Sequence, residues 1–171
     1  MKSSKKIALS AILCALGAAL MFLGGLLGVL DISSACIVSF ILLFIYIEVG
    51  KVYAVLSYAV ISVLAFLVCG QNLFAPACLT FFFGPMVLTK FLFEKCGKVL
   101  SWIFKLSLPS AIMFLVWLFA KDLLELPSTM TLQIVYFASA FLIAFLTHIL
   151  YIRLTAIYMS SIRHKILRFL K

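Results

Sequence analysis

Few side chains in this sequence are equipped for covalent chemistry, and their spacing excludes most of it. The histidines are His148 and His164, and neither belongs to an H-E-x-x-H pair; there is no G-x-S-x-G elbow, no paired His and Asp, and no Gly-rich phosphate loop. An enzyme is not expected, and any nucleotide energy must come from a partner. The five cysteines, Cys14, Cys36, Cys69, Cys78 and Cys96, form no C-x-x-C pair, and four lie in apolar surroundings where a free thiol behaves as a small hydrophobe. No disulfide framework, metal site or cofactor is indicated. What remains is non-covalent recognition. Gln71 and Asn72 place two adjacent amides between two apolar runs, offering several donors and acceptors without a charge to desolvate. A plain turn would use the same pair.

The elements that must position these groups are membrane helices. Hydrophobic residues make up 67% of the 171 and charged ones 11%, where a soluble domain carries roughly 45–50% apolar residues. Mean hydropathy is +1.31. At about 20 apolar residues per span, six spans with short loops use nearly the whole chain. The expected fold is therefore all-α, a compact polytopic bundle of six transmembrane helices in a single domain. The runs cover about 7–30, 35–49, 52–69, 73–93, 99–120 and 132–154, followed by a basic tail over 155–171.

Local features set the ends. Lys2, Lys5 and Lys6 precede the first run as in a secretory signal, but the run from Ile7 to Leu30 exceeds the roughly 7–15 residues of a signal core, so a retained span is expected. Asp31 is read as the end of that helix. The second run is short and must borrow residues at its ends or sit in thinned bilayer. Gly84-Pro85 lies inside the fourth run, so a kink is expected there, with the carbonyl freed by Pro85 satisfied from a neighbouring helix. Ile162, Ile166, Phe169 and Leu170 recur at helical spacing among cations of the tail, the pattern of an interfacial helix.

The formal charge of +9 has the same explanation. The basic residues sit at the ends of apolar runs, without the solvated, aromatic-interleaved face of a nucleic-acid surface, so no nucleic-acid partner is expected. If the six runs alternate, one face collects every Lys and Arg except Lys121, with Lys90 and Lys105 snorkelling to it. That face is cytoplasmic by the positive-inside rule, which puts both termini inside.

The first run carries Ala8, Ala11, Ala15, Ala18 and Ala19 with Gly17, Gly24, Gly25 and Gly28. Ala11, Ala15 and Ala19 are four apart on one face, where small side chains let another helix approach closely. Either the protein's own helices or a partner could occupy that face. With this Ala11-x-x-x-Ala15-x-x-x-Ala19 face, six expected spans, both ends inside and little soluble mass, the chain resembles the substrate-binding S components of energy-coupling factor transporters. The likeness covers most of the chain as layout plus one short motif.

The resemblance implies that the alanine face meets a transmembrane T component, that two cytosolic ATPases drive the cycle, and that the protein is a multi-pass subunit of a prokaryotic plasma membrane. It also implies a micronutrient site near the extracellular side, built from outer helix ends and the loops between the first and second and the third and fourth helices. In this sequence those regions hold Asp31, Gln71, Asn72, Trp117, Lys121, Gln133 and Tyr136, with Ser33, Ser34, Asp122 and Thr131 beside them. Amides and hydroxyls suit directional hydrogen bonds, Trp117 and Tyr136 could stack on a planar ligand, and Lys121 could meet an anionic group. Trp117 and Tyr136 also fit an interfacial aromatic belt, Asp31 a mere water boundary, and the other polar residues helix caps. Thr80 and Phe81 to Pro85 lie where a kink could shape a cavity floor. The competing expectation is a non-transporting scaffold of an envelope assembly that uses the alanine face and binds no ligand.

Overall fold

A computed structural model describes residues 3–28, 30–70, 72–93 and 130–162, with scattered positions between 107 and 118. Helix α1 spans Ser3–Leu27, α2 Asp31–Glu48 and α3 Lys51–Val68. The fourth run becomes α4 (Phe74–Ala77), a π-helical turn over Cys78–Phe83, and α5 (Gly84–Phe93). Helix α6 covers Met130–Ile157 and passes into a second π turn at Tyr158–Ile162. Helices α1, α2, α3 and α6 are long and apolar enough to cross a membrane.

Among the described residues there are thus four helices of spanning length, where six were expected. The run from Phe74 is shorter as an apolar helix and is interrupted by its π turn. Of the expected fifth span over 99–120 only scattered helical positions are described, and the amphipathic tail beyond Ile162 lies outside the described residues. The second helix also differs from expectation. It begins at Asp31 rather than near Ala35, and the first helix already stops at Leu27. Gly28 takes φ +64° just beyond Leu27, a left-handed conformation that ends helices and that residues with a Cβ resist. The chain restarts at once, and the Asp31 carboxylate occupies the first turn of α2, where the positive end of the helix dipole favours it.

Pairwise contacts fix the directions of the helices. A Cβ on Gly17 would touch Val38 and Ile61, and one on Gly24 would overlap the Ser34 side chain. Helix α2 therefore runs back along α1, and their backbones approach through glycine. Helix α3 runs with α1: Cys14 Sγ lies 4.0 Å from the Ser57 carbonyl and Cys69 Sγ donates to the Met21 carbonyl at 3.3 Å. Helix α6 runs with α2, since the Tyr151 hydroxyl donates to Ser39 Oγ at 2.6 Å and Tyr158 packs edge-on to Phe44 at 5.5 Å. Lys5, Lys6 and Lys51 consequently share one end of the bundle, opposite Asp31.

The interior holds Met21, Val38, Leu42, Ile61, Leu79, Phe83, Val87 and Tyr151, each at most 1% exposed. Side chains facing outward, such as Ile12, Leu26, Val52, Leu67 and Ile134, are more than half exposed and equally apolar. An apolar exterior over helices of this length is the pattern of a membrane-embedded protein.

Candidate functional site

The clearest polar cluster lies at the end away from the cations. The Asn72 side-chain amide donates through Nδ2 to Asp31 Oδ2 at 2.8 Å, and its Oδ1 accepts the Phe74 backbone N–H at 3.1 Å. The Asn72 backbone N–H donates to the Cys69 carbonyl at 2.9 Å. The Asx-type contact to Phe74 starts α4, as asparagine does in turns. One residue thereby ties the end of α3, the start of α4 and the start of α2, while the Cys69 thiol holds the end of α1.

Asp31 is more enclosed than a boundary acid, at 8% exposure. Its Oδ2 is held by Asn72, its backbone carbonyl accepts the Ser34 hydroxyl at 3.0 Å, and its buried Oδ1 has no hydrogen-bond partner among the described residues. The turn at Gly28 brings α2 back along α1, and its first residue is enclosed. A buried carboxylate oxygen without a donor is costly.

Two cavities lie toward this end of the bundle, and Asn72 lines the larger. One of about 100 Å³ is walled by Ile32, Phe74, Cys78, Phe82, Phe83 and Tyr136. Ile32 follows Asp31 and Phe74 is the residue whose N–H Asn72 holds, and Ser139, Ala140 and Ile143 of α6 complete the wall, four of whose nine residues are aromatic. The other, about 390 Å³, lies between the ends of α1 and α3 and is walled by residues including Phe22, Leu26, Cys69 and Asn72.

Of the residues expected to bind a ligand, Asp31 and Asn72 are in direct contact and Tyr136 reaches the aromatic cavity. Gln133 stands partly exposed on α6, about one turn before Tyr136, and does not line either cavity. Gln71, Trp117 and Lys121 lie outside the described residues. Phe82 and Phe83 wall the cavity from the stretch expected to shape its floor, with Thr80 just before them.

The π turn explains how they are presented. In an α-helix the Gly84 N–H would bond the Thr80 carbonyl; here it bonds Leu79, five residues back. In that wider register the Thr80 carbonyl would need the N–H of residue 85, which proline lacks. The Tyr58 hydroxyl of α3 supplies the donor instead, at 2.6 Å. Gly84 gives the ring room, because a Cβ there would overlap it. Tyr58 was not singled out from sequence; the demand of Pro85 for a donor was visible, but not which helix meets it.

On α1 the glycines and alanines divide. Gly17 and Gly24 are buried against α2 and α3, whereas Ala11, Ala15 and Ala19 are exposed. The alanine face is therefore not consumed by the protein's own described helices. No family model, curated protein or solved structure matches this chain.

Proposed function

We propose that this membrane protein is the substrate-capture subunit of a micronutrient importer, of the kind built as S components of energy-coupling factor transporters. It spans a prokaryotic plasma membrane six times with both termini inside; Phe74 to Phe93 forms the fourth span and the run over 99–120 the fifth. A small molecule binds from the outside next to Asp31 and Asn72, and a transmembrane T component with cytosolic ATPases supplies the energy.

The observation that carries this reading is the enclosed Asp31–Asn72 contact at the end of the bundle away from the cations, where Asn72 also lines a cavity of about 390 Å³. An enclosed acid is costly, and in a membrane protein it is kept where it binds something. Support also comes from the exposed Ala11, Ala15 and Ala19, which offer a second helix close approach. The same alanine face would serve a scaffold, but a scaffold has no use for an Asp–Asn pair whose amide lines a cavity.

Purification of the tagged chain from its native membranes tests the assembly. The expected result is a second polytopic protein and an ATPase in near-stoichiometric yield, both lost in Ala15→Trp. Recovery of the chain with neither of them in mild detergent contradicts the proposal.

A further inference from the structure

The larger cavity, of about 390 Å³, has a wall of two kinds. Gly25 and Gly70 line it, and since a glycine has no side chain, the wall at both places is main chain. Asn72 adds an amide, while Phe22, Leu26 and Leu67 add apolar surface. The main chain there has a definite sign. Gly25 and Leu26 belong to the last turn of α1, which ends at Leu27, and Leu67 to the last turn of α3, which ends at Val68. The last carbonyls of an α-helix have no partner within it, and its aligned peptides leave roughly half a negative charge at that end. Helices α1 and α3 run in the same direction, as the contacts of Cys14 and Cys69 show, so both negative ends meet at this cavity and add. The Asp31 carboxylate, 2.8 Å from Asn72 Nδ2, has the same sign. Lys5, Lys6 and Lys51 stand at the far end of the bundle. The volume lies within the roughly 300–1,000 Å³ of small-molecule sites, which fits an organic molecule rather than a bare ion.

We propose that this cavity receives a small amphiphilic organic cation, whose charged N–H head lies against the converging helix ends and Asn72 while its apolar body lies against Phe22, Leu26 and Leu67. This deepens the capture reading by naming its ligand class, and rests on it. The Asp31 side chain positions Asn72 and does not itself line the cavity. Anions are disfavoured, because both helix ends and Asp31 repel them. Gly70 keeps the space open. It has no positive φ, and a Cβ on it would meet nothing within 4 Å among the described residues, so neither its conformation nor its packing calls for a glycine.

A charge series on one apolar body tests the assignment. Phenethylammonium, hydrocinnamide and hydrocinnamate share a phenyl ring on a two-carbon stem and differ in the head group. Their binding to the purified full-length protein in phosphatidylcholine nanodiscs can be read by ligand-observed NMR, with the signal of empty nanodiscs subtracted. The ammonium is expected to bind at least about tenfold more tightly than the carboxylate, with the amide between them. Gly70→Trp fills the cavity and is expected to weaken the ammonium at least about tenfold while the thermal midpoint stays near that of the wild type. The wild-type series needs no variant, so it decides even if Gly70→Trp folds poorly. No binding of the ammonium, a carboxylate that binds as tightly, or ammonium binding unchanged in folded Gly70→Trp overturns the assignment. Failure here is separable from failure of the capture reading. A vitamin that binds Gly70→Trp as tightly as the wild type leaves capture standing and moves its ligand out of this cavity, whereas a flat vitamin screen together with no partner proteins removes capture itself.

Discussion

The Tyr58 hydroxyl donates to the Thr80 carbonyl at 2.6 Å, across the interface between α3 and the π turn that precedes Pro85. Sequence makes this contact necessary, since Pro85 leaves a carbonyl without a donor in a solvent that offers none. Tyr58→Phe is expected to cost about 1 kcal/mol, within the range of interhelical hydrogen bonds in membranes. The cost should shrink in a Pro85→Ala background, where residue 85 regains an N–H that can reach the carbonyl. A double-mutant cycle by chemical unfolding in mixed micelles measures this coupling, and additive costs would show that the two groups do not share the carbonyl.

Gly84 faces the same ring. Gly84→Ala is expected to destabilise by about 1–3 kcal/mol, since the added methyl meets a ring that cannot retreat without breaking its hydrogen bond. Most of that cost should vanish in a Tyr58→Ser background. Thermal unfolding followed by circular dichroism reports both values.

Asp31 and Asn72 should behave asymmetrically. Asn72→Ala strips from a buried carboxylate the side-chain donor that the described residues give it and is expected to cost about 1–3 kcal/mol. Asp31→Ala in that background should recover part of the loss, because no unpaired oxygens are left behind. A double variant less stable than Asn72→Ala alone contradicts this view of the pair.

The helical bundle was legible from apolar run lengths, because lipid imposes them. Run lengths gave the ends of α1, α3 and α6 to within a few residues. The second helix was misread at Asp31 because an acid usually marks water; the glycine turn that carries it inward leaves no charge signature. Asn72 was legible as an amide pair with Gln71, but not as the holder of Asp31, which lies far away in the chain. The aromatic cavity was the least visible, since Phe82 and Phe83 look the same in sequence whether they face lipid or line a space.

The two small-residue faces of α1 should separate in mutagenesis. Gly24→Leu, pressed into Ser34, is expected to disrupt folding, while Ala15→Trp at an exposed position should leave the thermal midpoint within about 2 °C, as for a surface change below about 0.5 kcal/mol. Size-exclusion profiles and midpoints of the two variants measure the difference. Unfolding by Ala15→Trp would place that face inside the protein.

The central claim is capture of a small molecule beside Asp31 and Asn72, and the most direct test is a thermal-shift screen of the purified full-length protein against water-soluble vitamins and their precursors. A ligand at a hundredfold its Kd stabilises by about 2.7 kcal/mol. The account predicts that at least one compound raises the midpoint clearly and that Asn72→Ala removes the shift. A flat response across the panel, or a shift that survives Asn72→Ala unchanged, contradicts it.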